Sequence, residues 1–207
     1  MKKFIKIVAL VLAMTLVFAS CSGSSDNKES EGESTTASNY VQKVKFTMEN
    51  GGSFIIALYP QYAPETVENF LNLVKVGFYD GLTFHRVIDG FMAQGGDPEG
   101  TGMGGSGKNI VGEFSINGFT QNTLSHKRGI VSMARSNDYN SASSQFFICY
   151  DDASYLDGQY AAFGEVIEGM EVVDAFLEVE RVYDAYGEKS KPVEPIVIEK
   201  AEVIEDA

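Results

Sequence analysis

The sequence predicts a mainly β domain, a closed antiparallel barrel capped by helices. Three observations carry this expectation: many short β-type runs, few helical periods, and 21 glycines that break the runs into turns. The first runs are the clearest. VKFTM alternates Val44, Phe46 and Met48 with polar neighbours, and FIIAL places Phe54, Ile56 and Leu58 in the same period of two. Between them stands Glu49-Asn50-Gly51-Gly52, and an Asn-Gly step tolerates the positive φ of a tight hairpin turn.

APETVENFLNLVKVG then changes period. Val67, Phe70, Leu71 and Val74 fall at i, i+3, i+4 and i+7, one apolar helical face. Pro64 suits the first turn, Glu65 and Glu68 suit its positive end, and Gly77 can close the helix in a left-handed conformation. A shorter helix is expected over Gly169–Leu177. The runs FHRVI, FMAQ, GIVSMA, QFFICY, YAAFGEVI and PIVIEKAEVI complete the expected strands.

The N-terminal end differs from this pattern. Residues 1–20 begin with three lysines within six residues, continue with an apolar run from Ile7 to Ala19, and end in small residues. The run falls short of the roughly 20 residues of a membrane span and reads as a secretory signal. The next residue is Cys21, and FASC resembles the lipobox of bacterial lipoproteins, with Phe18 in place of the usual Leu. Cys21 is therefore the expected lipidation site. Ser22 to Asn39 has no aromatic residue and no aliphatic one larger than Ala37, and cannot offset its ordering entropy by burial. Residues 21–39 read as a lipidated, disordered acidic tether with a reach of about 20–25 Å. Tyr40 to Ala207 is the expected folded domain. It would lie outside the cytoplasm, held to a bacterial membrane.

Composition narrows the chemistry. A formal charge of −13 makes nucleic acid an improbable partner, since basic residues supply most non-specific affinity. With Cys21 committed to lipid, Cys149 has no disulfide partner and is expected to be a buried strand residue. Gly100 to Gly105 satisfies GxGxxG, and Gly102 to Asn109 nearly satisfies GxxxxGK[ST]. Neither opens a helix, because NIVGEFSINGF has no helical period, so these glycines read as a loop. His85 and His126 lack the spacing of a zinc site and are expected to be hydrogen-bonded in or near the core. Ser125, His126 and an Asp could spell a hydrolase, but no G-x-S-x-G is present. No metal or cofactor is expected.

Three stretches remain: FHRVIDGFMAQGGD, MARSNDYNSASSQFFI and LDGQYAAFG. In this order and spacing they resemble the cyclophilin family of peptidyl-prolyl cis-trans isomerases, over roughly Val41 to Val203. The resemblance implies a closed eight-stranded antiparallel barrel capped by two α-helices. It also explains why no nucleophile, metal or general base appears. Rotation about an X-Pro bond breaks no bond; it must cross a barrier of about 18–20 kcal/mol set by amide resonance.

By the same resemblance, Arg86 is the catalytic arginine and Gln94 the polar group beside it and the substrate backbone. Phe91, Met92, Phe147 and Leu156 match the pocket for the proline ring. Ala134 and Arg135 match positions that grip the preceding residue through main-chain groups, and Gln145 a nearby contact. Tyr155 stands where many cyclophilins carry Trp, and Tyr160 where they often carry His; both are expected to line the substrate groove. The Trp supports cyclosporin binding in the family, so weaker cyclosporin inhibition is expected.

The implied function is prolyl isomerisation assisting exported proteins as they fold, with proline-containing polypeptides as partners and the chain a monomer. The alternative is a chaperone or scaffold that binds proline segments with little turnover. Retention of both Arg86 and Gln94 favours the enzyme. An isomerase built on arginine, which stays charged, should run at a nearly constant rate through neutral pH. A hydrolase with a titrating base would give a bell-shaped profile.

Overall fold

The computed structural model describes residues 41–184 and 187–205. The expected signal, lipidation and tether segments, including Cys21, lie outside the described residues.

β1 (Gln42–Met48) and β2 (Ser53–Leu58) form the expected hairpin, with Val44 opposite Ile56 and Phe46 opposite Phe54. Gly51 takes φ 88°, and its N–H donates to Met48 O to close the turn. The rings of Phe46 and Phe54 stack 5.1 Å apart, so the period of two becomes a buried cross-strand pair.

α1 (Pro64–Lys75) buries Val67, Phe70, Leu71 and Val74, the face read from the sequence, and Thr66 beside them. Gly77, at φ 70°, donates to Val74 O and ends the helix. The other end is capped from afar. Ala63 offers no side-chain cap; instead the buried Glu113 carboxylate accepts the N–H groups of Glu65 (3.0 Å) and Thr66 (2.8 Å). Two orphan donors are thereby satisfied at the positive end of the helix dipole.

The remaining elements are β3 (Thr83–Ile88), β4 (Met92–Asp97), β5 (Ile130–Met133), β6 (Phe146–Cys149), β7 (Ala162–Glu168), α2 (Met170–Asp174), β8 (Arg181–Tyr183), β9 (Lys189–Pro192) and β10 (Ile198–Ile204). α2 is shorter than expected, because the chain tightens into a 3₁₀ turn over Ala175–Glu178. The eight-stranded antiparallel sheet runs β10-β1-β2-β7-β5-β6-β4-β3, while among the described residues β8 and β9 form a separate two-stranded sheet. That second hairpin has no counterpart in the sequence expectation. The curved sheet wraps an aromatic core of Phe46, Phe54, Phe70, Tyr79, Phe84, Phe146 and Phe163, with α1 packed beside β10 and α2 beside β2.

The expected closure is corrected. The sheet is an open half-barrel: β3 and β10 share no strand ladder, and one isolated bridge, Thr83 to Val197, joins their ends. Phe84 donates to Ile196 O and Ile198 to Leu82 O around that bridge. The register does not continue: Pro195 and Ile196, next along the chain toward β9, belong to no strand. Beyond this point the hairpin β8–β9 packs against β3, and Arg181 donates to Val87 O.

Candidate active site

A single transverse row of the sheet gathers the polar and aromatic residues singled out above. Arg86 on β3 pairs with Gln94 on β4, Gln94 with Phe147 on β6, and Phe147 with Ser132 on β5. Alternate residues of β4 and β6 face the aromatic core, so Met92, Gln94, Phe147 and Cys149 share the opposite face. There Met92, Phe147, Cys149 and Ala153 form a second apolar cluster, with Phe91, Ala134, Leu156 and Tyr160 packed around it. Both faces of β6 are buried, which is why QFFICY reads as one continuous apolar run.

This face holds a cavity of about 280 Å³ lined by Arg86, Phe91, Met92, Gln94, Ala134, Arg135, Phe147, Leu156 and Tyr160. A second cavity of about 230 Å³ adjoins it, sharing Gln94, Ala134 and Arg135 and adding Gly102, Met103, Gly104 and Gln145 among its walls. Of the eleven residues singled out within the domain, nine line the first cavity and Gln145 the second. Tyr155 is the exception: it is 62% exposed, and its ring lies 6.0 Å from that of Phe91, at the rim rather than in the wall.

Hydrogen bonds order the polar side. Arg86 Nη1 donates to Gln94 Oε1 at 3.4 Å, Gln94 Nε2 to Gln145 Oε1 at 2.8 Å, and Gln145 Nε2 to Gly104 O at 2.8 Å. Ala134 N–H is spent on Gln145 O and is not offered to a ligand. The Arg135 side chain has work the sequence did not suggest. Its guanidinium lies 4.5 Å over the Tyr160 ring, 5.0 Å over Tyr139 and 5.2 Å over Phe114, and donates to the Gln159 and Ser136 carbonyls. Tyr160, held this way, meets Phe147 edge-on.

His126 supports Phe147 from the other side, its ring parallel and 6.0 Å away. Its Nδ1 lies 2.8 Å from Asp157 Oδ1 and its Nε2 2.9 Å from Ser132 Oγ. A carboxylate only accepts, so Nδ1 carries the proton and Nε2 of the neutral ring accepts the Ser132 hydroxyl. The trio has the connectivity of an Asp–His–Ser hydrolase, but Ser132 is 0% exposed and meets no substrate. Ser125, the serine considered from sequence, donates instead to Asp157 Oδ2.

Burial lowers the pKa of His126 despite the opposing pull of Asp157, and burial likewise lowers that of His85. His85 departs from expectation: its buried ring nitrogens meet no partner at hydrogen-bond geometry, and the charge of Asp97 does not outweigh its burial. The free histidine value is about 6.5. Below it the unfolded chain gains protons that the fold refuses, so stability present above that value is lost as pH falls through the folded values. We expect the urea midpoint to drop between pH 7.5 and 5, with a flatter drop in His126→Gln. An equal drop in that variant would assign the effect elsewhere. Cys149 is buried, and burial pushes its thiol up to about 12, so it supplies no thiolate nucleophile at neutral pH.

The chain that builds this cavity matches the family model of cyclophilin type peptidyl-prolyl cis-trans isomerase/CLD over residues 43–203. The chain belongs to the cyclophilin family. It is a peptidyl-prolyl cis-trans isomerase. Relatives agree: peptidyl-prolyl cis-trans isomerase B of Bacillus subtilis is 46% identical over 126 residues, covering 61% of this chain and 84% of the relative. Peptidyl-prolyl cis-trans isomerase A of Dickeya dadantii is 41% identical over 160 residues, covering 75% and 81%. Among solved structures, a cyclophilin-type isomerase of Cryptosporidium parvum superposes with a TM-score of 0.68 at 33% identity, covering 81% of this chain and all of the other.

The sequence offered no signal for Glu113, for the His126–Ser132 pair or for a further neighbour of Arg86. That neighbour is Glu188, whose Oε2 lies 2.7 Å from Arg86 Nη2.

Proposed function

We propose that the enzyme isomerises X-Pro bonds of exported polypeptides at the outer face of a bacterial membrane, with Arg86 as its catalytic cation and Cys21 as its lipid anchor. The observation that carries the catalytic part is the cavity itself: Phe91, Met92, Phe147 and Leu156 make an apolar seat, and Arg86 with Gln94 forms its polar edge. A related structure was determined in the presence of the dipeptide Ala-Pro, in keeping with a proline-containing ligand.

The chemistry follows from what twisting does to the imide. At the top of the barrier resonance is lost and the nitrogen regains a lone pair, which a guanidinium N–H can meet. Gln94 and the apolar seat hold the ring while the carbonyl side turns. Raising a rate near ~10⁻² s⁻¹ to ~10³ s⁻¹ needs about 7 kcal/mol. One charge-assisted hydrogen bond supplies about 1.5–3 kcal/mol. The remainder falls to tighter binding of the twisted substrate than of either planar form.

The anchor rests on FASC and the acidic stretch after it, and a monomeric domain on that tether would work just off the bilayer. Two measurements test the proposal. Asn39–Ala207, whose described residues form one compact unit, should accelerate cis-trans exchange of an Ala-Pro peptide observed by NMR. The full chain expressed in a bacterium should incorporate labelled palmitate and sediment with membranes, and Cys21→Ala should do neither. Peptide binding without acceleration would favour a proline-binding scaffold; an unlabelled, soluble full chain would end the anchor.

A further inference from the structure

We propose that Glu188 is a positioning residue that fixes the Arg86 guanidinium for catalysis from the hairpin β8–β9, outside the main sheet. The inference rests on the reading of Arg86 given above. Arg86 has two tethers, and they are unequal. Gln94 accepts from Nη1 at 3.4 Å, a long contact between neutral and charged partners, whereas Glu188 accepts from Nη2 at 2.7 Å with charge on both sides. The pair is only part-buried, with side-chain exposures of 35% and 41%; Arg86 lines the cavity, and Glu188 stands behind it, outside the lining.

Glu188 is fixed at its own backbone. Glu188 N–H donates to Asp184 Oδ1 at 3.0 Å, Asp184 N–H returns a bond to Glu188 O at 2.8 Å, and the Ser190 hydroxyl donates to Asp184 Oδ2 at 2.8 Å. Arg181 ties the base of the hairpin to Val87 O on β3 and to Leu177 O. The backbone that bears Glu188 is thus held at a defined place relative to the strand that carries Arg86.

Arginine has a long, rotamer-rich side chain, and its electrostatic work requires that it be in place before the substrate twists. Gln94 on one side and Glu188 on the other bracket the fork without withdrawing it, because Arg86 still lines the cavity. A latch that pulled the arginine out of the site would leave it elsewhere. The remaining N–H groups of the guanidinium are then directed by two fixed acceptors, one neutral and one anionic.

The test uses the full chain in mild detergent, an uncharged Ala-Pro peptide, and four variants: Glu188→Ala, Glu188→Gln, Arg86→Ala, and Arg86→Ala with Glu188→Ala. We expect Glu188→Ala to lower kcat about tenfold with KM nearly unchanged, as loss of preorganisation rather than of binding requires. Glu188→Gln, whose amide oxygen can still accept, should fall between. In the Arg86→Ala background, removing Glu188 should cost nothing more, since the residue acts through the arginine. A part-exposed ion pair adds little to folding, so the melting temperature should not move.

A Glu188→Ala rate equal to or above the parent's overturns the proposal, the higher rate marking a competitor of substrate instead. An equal further loss in the Arg86→Ala background also overturns it, because the hairpin would then act independently of the arginine. If Arg86→Ala itself keeps the parent rate, the catalytic reading of Arg86 fails and carries this one with it. If Arg86→Ala is slow and Glu188→Ala is not, only the positioning role is lost.

Discussion

Arg86→Ala is expected to lower kcat/KM toward an Ala-Pro peptide by about 10–10²-fold, the loss of one charge-assisted hydrogen bond of about 1.5–3 kcal/mol. The apolar seat of Phe91, Met92, Phe147 and Leu156 does not depend on the arginine for its packing, so peptide binding should persist. Arg86→Lys should restore little, because an ammonium on a flexible stem lacks the planar fork that can reach Gln94, Glu188 and a substrate together. Exchange spectroscopy on the peptide separates these outcomes, since it reads interconversion at equilibrium and binding from the same spectra. A variant within a few-fold of the parent rate would shift the whole barrier reduction to differential binding in the cavity.

Much of this site could be read from the sequence, but for two different reasons. The hairpin β1–β2 and the buried face of α1 were legible locally, because alternation and the i, i+3, i+4 pattern report burial by themselves. Arg86, Gln94, Phe147 and Tyr160 carried no such local signal. A lone arginine or phenylalanine reads as surface or core, and only the joint resemblance of three motifs separated them from that background. Both routes failed where the partner is remote. Glu113 caps α1 across 47 residues to Thr66, and Glu188 reaches Arg86 across 102. A carboxylate in a solvated loop looks the same in sequence whether or not folding brings a cation or a helix end to it.

The open seam shows the same limit. Alternation in PIVIEKAEVI predicts a strand, and β10 is one, but period-two patterns do not say which edges pair. The contact of this run with β3 is a single isolated bridge at Val197, and the residues before it, Pro195 and Ile196, belong to no strand. The seam is then covered by β8–β9, the element that carries Glu188. Closing the barrel fully would occupy the edge of β3 that this hairpin packs against.

The other large effect is expected at Asp97, and it links the glycine loop to the chemistry. This carboxylate is 1% exposed and accepts four backbone N–H groups, from Glu99, Thr101, Gly102 and Gly104. Burial pushes its pKa up, but those four donors outweigh burial and hold the carboxyl below its ordinary value. The stability it contributes is therefore present above the unfolded value near 3.9 and is lost as pH falls through the lower folded one. Asp97→Ala strands four donors, some of which water can reach, and should cost about 3–5 kcal/mol by urea unfolding. Gly104 explains the local glycine: a Cβ there would collide with Asp97 Oδ1. Its carbonyl also anchors Gln145, which holds Gln94, which meets Arg86. Gly104→Ala should therefore reduce kcat/KM by about tenfold or more even where the protein remains folded, as displaced positioning groups do. Full activity in a folded Gly104→Ala enzyme would show that the relay from loop to arginine is dispensable, leaving the Glu188 contact as the tether of Arg86.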